Sequence, residues 1–187
     1  EIGSGLVGSE MCIRDRKKKV LFVANQWPDF PLRKSVEYAK KSGVELEVFG
    51  DNWENSLFGE YAGWWKARQI PNDQLKYFYS SADIVLNDTR PDMIEAGFIS
   101  NRIFDATACG TLVISDYMPE IEAIYGDSVP MYKNGDELAR LVRYYLNPAH
   151  EPERREKAAR AREITLRYFT AEQAAEKFQE IIHNIKK

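Results

Sequence analysis

The stretch Ser100–Asp116, SNRIFDATACGTLVISD, sets a hydroxyl, an amide and a guanidinium (Ser100, Asn101, Arg102) at the mouth of an apolar helical run that holds one carboxylate, Asp105. A helix start offers unpaired backbone N–H groups and the positive end of the helix dipole, which suits a phosphate. A guanidinium beside it can grip the same group through two parallel hydrogen bonds. Asp105 lies one turn in from Asn101, on the same face, where a carboxylate could accept hydrogen bonds from the two hydroxyls of a ribose. These types at this spacing fit a nucleotide-like ligand. They also fit a plainer arrangement, because Arg102 and Asp105 are three apart and could form a helix-surface ion pair worth roughly 0.2–0.5 kcal/mol. The residues alone leave both readings open.

Other chemistry is thinner. Cys109 reads as a small packed hydrophobe rather than a nucleophile, with no histidine near it in sequence, and Gly110 reads as the end of the helix. His150 and His183 lie in the carboxyl-terminal part with no metal-ligand spacing. No HExxH, GxGxxG or Walker-type glycine loop occurs, so no metal or cofactor is expected.

The elements that must position these residues alternate. Lys19–Ala24, Leu46–Gly50, Asp83–Asn87 and Thr111–Asp116 are short apolar runs that fit strands buried on both faces. Val129–Tyr132 is a fifth candidate whose Pro130 suits a strand start or an edge. Helical patterns cover Leu32–Lys41, Asp73–Ser81, Ser100–Cys109, Pro119–Tyr125 and Asp136–Leu146. Such alternation predicts an α/β fold, a Rossmann-like doubly wound parallel sheet, with ligands at the carboxyl ends of the strands. Polar residues do follow the strands there: Asn25 and Gln26, Asp51 and Asn52, Asn87 and Asp88, Ser115 and Asp116. The first turn of the Ser100–Cys109 helix is expected to point into the largest cleft. Two extra terminal helices follow: Pro152–Tyr168, and a second opened by Thr170 and Gln173 at capping-box spacing.

One segment stands apart. Leu6–Asp15, LVGSEMCIRD, resembles the translation of a transposon-end adapter used in sequencing libraries, so residues 1–16 are read as non-native and the domain as 17–187. Of 26 basic and 29 acidic side chains, setting aside Arg14, Arg16, Glu1, Glu10 and Asp15 leaves 24 and 26, a net charge of −2. That balance argues against a nucleic-acid binder that relies on neutralising phosphates. With Cys12 also set aside, Cys109 is the only cysteine, so no disulfide framework is expected and a reducing, cytoplasmic setting is the default. No apolar run reaches membrane-spanning length.

The runs ADIVLND (82–88), PDM (91–93), NRIFDATACGTLVISDY (101–117), PEIEAIYG (119–126) and DELARLVRYYLNP (136–148) together resemble the carboxyl-terminal domain of GT-B glycosyltransferases. Within these the chain is most similar to the group-one-like set that includes the CgeB-like spore-maturation proteins. The resemblance spans roughly Lys19 to Ile185 and is most specific over Ala82–Tyr117. It implies a donor domain that binds a nucleoside-diphosphate sugar as substrate, with an unknown acceptor held by an amino-terminal domain absent from this sequence. It further implies that Asp105 holds the ribose, that Ser100, Asn101 and Arg102 face the diphosphate, and that the pair Arg33 and Lys34 neutralises it. The backbone of Arg68, Gln69 and Ile70 would read the base, while Trp64 and Trp65 pack. Arg33, Lys34 and Arg102 would then stabilise the leaving diphosphate without a divalent metal.

Two departures matter. Members of the family carry two glutamates separated by seven residues; here the second is the shorter Asp105 and the first position is Gly97, with Glu95 two residues early. Contacts to the transferred sugar are therefore the least defined part of the reading. A non-catalytic nucleotide-sugar-binding domain and a nucleotide-sugar epimerase on the same scaffold are the rival functions. If a domain is missing, its loss should expose an apolar patch on the final helix around Phe178, Ile181, Ile182 and Ile185.

Overall fold

A computed structural model of the chain describes residues 19–28 and 31–185, with the backbone alone at 180, 184 and 185. The adapter-like residues 1–16 lie outside this range. The strands are β1 (Val20–Val23), β2 (Glu47–Phe49), β3 (Trp65–Ala67), β4 (Ile84–Asn87), β5 (Leu112–Asp116) and β6 (Met131–Tyr132). They form one sheet in the order β3-β2-β1-β4-β5-β6, parallel throughout. The order reverses between β1 and β4, which is where such sheets hold ligands.

The helices are α1 (Lys34–Ser42), α2 (Leu75–Ser81), α3 (Pro91–Glu95), α4 (Asn101–Ala108), α5 (Pro119–Tyr125), α6 (Gly135–Leu146), α7 (Glu151–Tyr168) and α8 (Ala171–Ile185). They cover both faces of the sheet, because the strands are apolar on both sides. On one face Phe22, Val48, Leu86 and Ile114 pack against Val36 and Ala39 of α1 and Leu138 and Val142 of α6. On the other Leu21, Val85 and Val113 meet Tyr79 of α2, Ile103 and Ala106 of α4, Ile121 of α5 and Ala161 of α7. The anticipated elements are present, within a residue or two. Sequence periodicity did not anticipate β3, whose three residues WKA alternate too briefly to read, or the five-residue α3.

Local chemistry closes several elements as anticipated. Gly110 ends α4 with φ +76°, its N–H bonding the Thr107 carbonyl. Thr170 and Gln173 exchange the two capping-box hydrogen bonds at 3.4 Å each at the start of α8. Trp65 packs against the first core, and its Nε1 donates to the Gly50 carbonyl at 2.9 Å, fixing the β2–β3 edge. Gly50 itself is required: with φ +142°, a Cβ there would stand 2.1 Å from the Ala24 carbonyl oxygen. That close approach brings the ends of β1 and β2 together. On α8, Phe178, Ile181 and Ile182 are 68%, 55% and 49% exposed, so three of the four residues expected in an apolar patch face solvent. The side chain of the fourth, Ile185, lies outside the described residues.

Candidate functional site

The carboxyl ends of β1 and β4 are joined by Arg102, the second residue of α4. Its Nε donates to the Val23 carbonyl at 2.7 Å and its Nη1 to Asn87 Oδ1 at 2.7 Å, with the guanidinium 5.1 Å from the Phe22 ring. No ion pair joins Arg102 to Asp105 among the described residues. The helix-surface pair that spacing allowed is therefore not formed, because Arg102 turns inward to clamp the helix start across the switch point. Burial, then the neighbouring Arg33, lower its pKa, while Asp88 opposes the shift.

The α4 start itself is open. Ser100 is its cap residue but makes no side-chain capping bond. Asn101 and Asp105 are exposed on one face. Partial burial raises the Asp105 carboxyl, and Arg102 pulls it back. With Asn101 and Phe104, Asp105 lines a cavity of about 450 Å³ closed by Tyr168, Phe169 and Lys177. A second cavity of about 350 Å³ lies over the ends of β1 to β3, lined by Val23, Asn25, Gly50, Arg68, Gln69 and Ile70. Arg102 links the two, since it bonds Val23 on the wall of one and neighbours Asn101 on the wall of the other. A larger groove, about 970 Å³, lies elsewhere: it runs along the outer side of α1 and α6, between Tyr38 and Tyr144. The cavity onto which the α4 start opens, expected to be the largest cleft, is smaller than this groove. That groove is a solvent-facing trough between two helices, away from the carboxyl ends of the strands.

Arg33 and Lys34 part company. Lys34 is exposed at the start of α1. Arg33 is 4% exposed, and its guanidinium is taken up by the protein. Nε donates to Asp88 Oδ1 at 2.8 Å, Nη2 to the same oxygen and to the Asp88 carbonyl, and Nη1 to the Asn25 carbonyl at 3.0 Å. The Trp27 ring stacks 3.9 Å from it. A direct grip on a diphosphate, the role anticipated for Arg33, would require breaking this pair. Asp88 has a second task. Its Oδ2 accepts from the Ser35 N–H at 3.1 Å, so a residue after β4 caps a helix whose own cap position is an arginine. Arg68 likewise folds back onto Asp51 and Glu54, and with Gln69 and Ile70 it lines the cavity over the ends of β1 to β3.

Below Asp88 lies a buried polar layer. Asp116 accepts from the Thr89 N–H at 2.9 Å and Oγ1 at 3.2 Å. Asn87 Nδ2 donates to Ser115 Oγ at 2.9 Å, and the Tyr132 hydroxyl donates to the Asn87 carbonyl at 3.0 Å. The polar pairs that close the strands were visible in sequence; that they bond one another was not, since partners such as Asn87 and Tyr132 are 45 residues apart. Burial raises Asp116 to about 6, aided by the Asp88 charge and opposed by the Thr89 and Ser115 bonds. A carboxylate raised by folding contributes stability that is full below its ordinary pKa and lost as pH rises through about 6. From the ordinary 3.8 to about 6 this corresponds to about 3 kcal/mol. Relative to Asp116→Asn, the wild-type chain is expected to lose stability of that order between about pH 3 and 7 in chemical unfolding. A constant difference across that range would show that Asp116 is well solvated.

Among the described residues no cluster of three or more His, Cys, Asp or Glu side chains could hold a metal ion. Nor is any described helix long and apolar enough to cross a membrane.

Comparison with known proteins bears on this site. A family model described as glycosyl transferase-like matches residues 21–180. The spore protein CgeB of Bacillus subtilis (strain 168) is 29% identical over 122 residues, covering 60% of this chain and 37% of that protein. Among solved structures, sucrose-phosphate synthase from Thermosynechococcus elongatus superposes with a TM-score of 0.68 at 17% identity, over 90% of this chain and 45% of that one. The pneumococcal O-GlcNAc transferase GtfA, solved with UDP and GlcNAc, superposes with a TM-score of 0.60 at 13% identity, over 89% of this chain and 35% of its own. At these identities the structural matches establish a shared fold. The chain spans less than half the length of each of these relatives.

Proposed function

Because the chain belongs to the glycosyl transferase-like family, with a GT-B carboxyl-terminal fold of CgeB-like type, we propose that it binds a nucleoside-diphosphate sugar and presents the sugar for transfer to an acceptor. One observation carries the reading: the first turn of α4 stands uncapped by any side chain at the switch point, with Asp105 exposed one turn on. In this proposal the diphosphate lies against the amides of Asn101 and Arg102 and the Ser100 hydroxyl. Asp105 holds the ribose, and the base enters the cavity beside Arg68, Gln69 and Ile70. Lys34 supplies the exposed cation. Arg102 contributes positive charge from below while it holds the helix start in place, and Arg33 acts through Asp88 by fixing the adjacent loop.

The chemistry of such a site is electrostatic. As the sugar–phosphate bond breaks, negative charge grows on the leaving diphosphate, and preoriented amides and cations stabilise that charge more than they stabilise the bound donor. A second reading, a nucleotide-sugar-binding domain without transfer, is favoured by Gly97 at a position where the family carries a glutamate.

Asp105→Ala tests the donor site. It removes charged hydrogen bonds to the ribose, so affinity for the best-bound nucleoside diphosphate is expected to weaken by about 1.5–3 kcal/mol, with the fold intact because Asp105 is exposed. Calorimetric titration of UDP, GDP, ADP and TDP decides it. An unchanged dissociation constant would remove Asp105 from the site.

A further inference from the structure

A carboxylate that the proposed donor site does not use lies at the same edge of the sheet. Glu120 is in the first turn of α5, which begins three residues after β5 ends. Its Oε2 is buried and is the one side-chain atom of its kind without a hydrogen-bond partner among the described residues. Leaving a buried carboxylate oxygen unpaired is costly, and native proteins rarely do so without a partner that arrives later. The neighbouring chain packs closely against its other oxygen. Gly97 has φ +70°, and a Cβ on it would stand 3.2 Å from Glu120 Oε1. Gly97 belongs to the loop that runs into Ser100, so this carboxylate flanks the open start of α4.

Charge decides what could satisfy it. A carboxylate repels a phosphate, and the positive end of α4 already offers the phosphate a better place. The unpaired oxygen is an acceptor only, so it takes a donor: a hydroxyl or an amine. A neutral group rich in hydroxyls, attached to a phosphate at the α4 start, meets that requirement.

Resting on the nucleotide-sugar reading above, we propose that Glu120 is a specificity-determining residue whose unpartnered Oε2 accepts hydrogen bonds from hydroxyls of the transferred sugar beside the α4 start. The binding contribution of Glu120 then belongs to the sugar and not to the nucleotide. Calorimetric titration of the whole chain with UDP, UDP-glucose and UDP-N-acetylglucosamine, and with GDP and GDP-mannose, separates the two. Wild-type protein is expected to bind at least one nucleotide sugar more tightly than its parent diphosphate. Glu120→Gln, which keeps the shape but turns half the acceptor into a donor, is expected to erase that margin by about tenfold or more while moving the diphosphate constant less than twofold. Glu120→Ala is expected to do the same, with thermal unfolding followed in parallel. Equal weakening of sugar and diphosphate, or a margin untouched by both variants, overturns the assignment and leaves the donor site standing. Failure of the wild-type chain to bind any nucleoside diphosphate removes the donor site and this assignment with it.

Discussion

Asp88→Ala is expected to cost about 3–5 kcal/mol of folding stability, the penalty for stranding a buried charge. Arg33 is 4% exposed and Asp88 3% exposed, so neither charge has water to turn to. Removing the carboxylate leaves the guanidinium with carbonyl partners only, from Asn25 and Asp88 itself. It also uncaps α1, because the Ser35 N–H loses its acceptor. The pair itself need not be a net source of stability, since an apolar pair of similar size often does as well. Arg33→Met combined with Asp88→Leu is therefore expected to lose less than Asp88→Ala alone. Urea unfolding of the wild type, Arg33→Met, Asp88→Leu and the double variant gives the coupling directly. A loss below about 1 kcal/mol for Asp88→Ala would mean that the guanidinium readily finds another partner. It would then be free to reach a bound diphosphate, as its place beside Lys34 suggests.

That pair also shows where sequence reading stops. The sheet was legible because apolar runs such as IVL (84–86) and LVIS (112–115) carry no alternation and must be covered on both faces. Helix ends were legible from single residues, Gly110 and Thr170, whose chemistry acts within a few positions. Side-chain direction was not. Nothing near Arg33 in sequence says that it turns inward, because its partner Asp88 is 55 residues away and meets it only when β1 and β4 pair. Arg102 is the same case. Spacing offered a partner three residues on, but tertiary structure offered a carbonyl on β1 and an amide on β4 with better burial. Glu120 left no signal at all, since its place depends on a glycine 23 positions earlier. Residues acting through the backbone or within one turn can be read from sequence. Long cations, whose reach spans several elements, need the fold.

The largest functional effect expected is an absence: the purified chain should bind a nucleoside diphosphate yet transfer no sugar. The chain spans 37% of CgeB, 45% of the sucrose-phosphate synthase and 35% of GtfA, while the match covers 89–90% of this chain in both solved structures. The groups assigned to the donor lie at the carboxyl ends of the strands and the start of α4, with Tyr168, Phe169 and Lys177 beside Asp105. Transfer needs more than a held donor. The acceptor must be positioned within reach of the reacting carbon, which is worth several orders of magnitude, and water must be kept out so that fixed charges act at full strength. Both call for a second surface. The exposed face of α8, with Phe178, Ile181 and Ile182, presents apolar area to solvent. Extending the chain with an amino-terminal acceptor-binding α/β domain is expected to cover those residues and raise transfer by a factor of at least about 10³. The matching measurements are a transfer assay with and without that domain and hydrogen exchange across α8. Sugar transfer by this chain alone to an added acceptor would show that it holds a complete site. Covered α8 residues without a gain in transfer would place the acceptor contacts on some other surface.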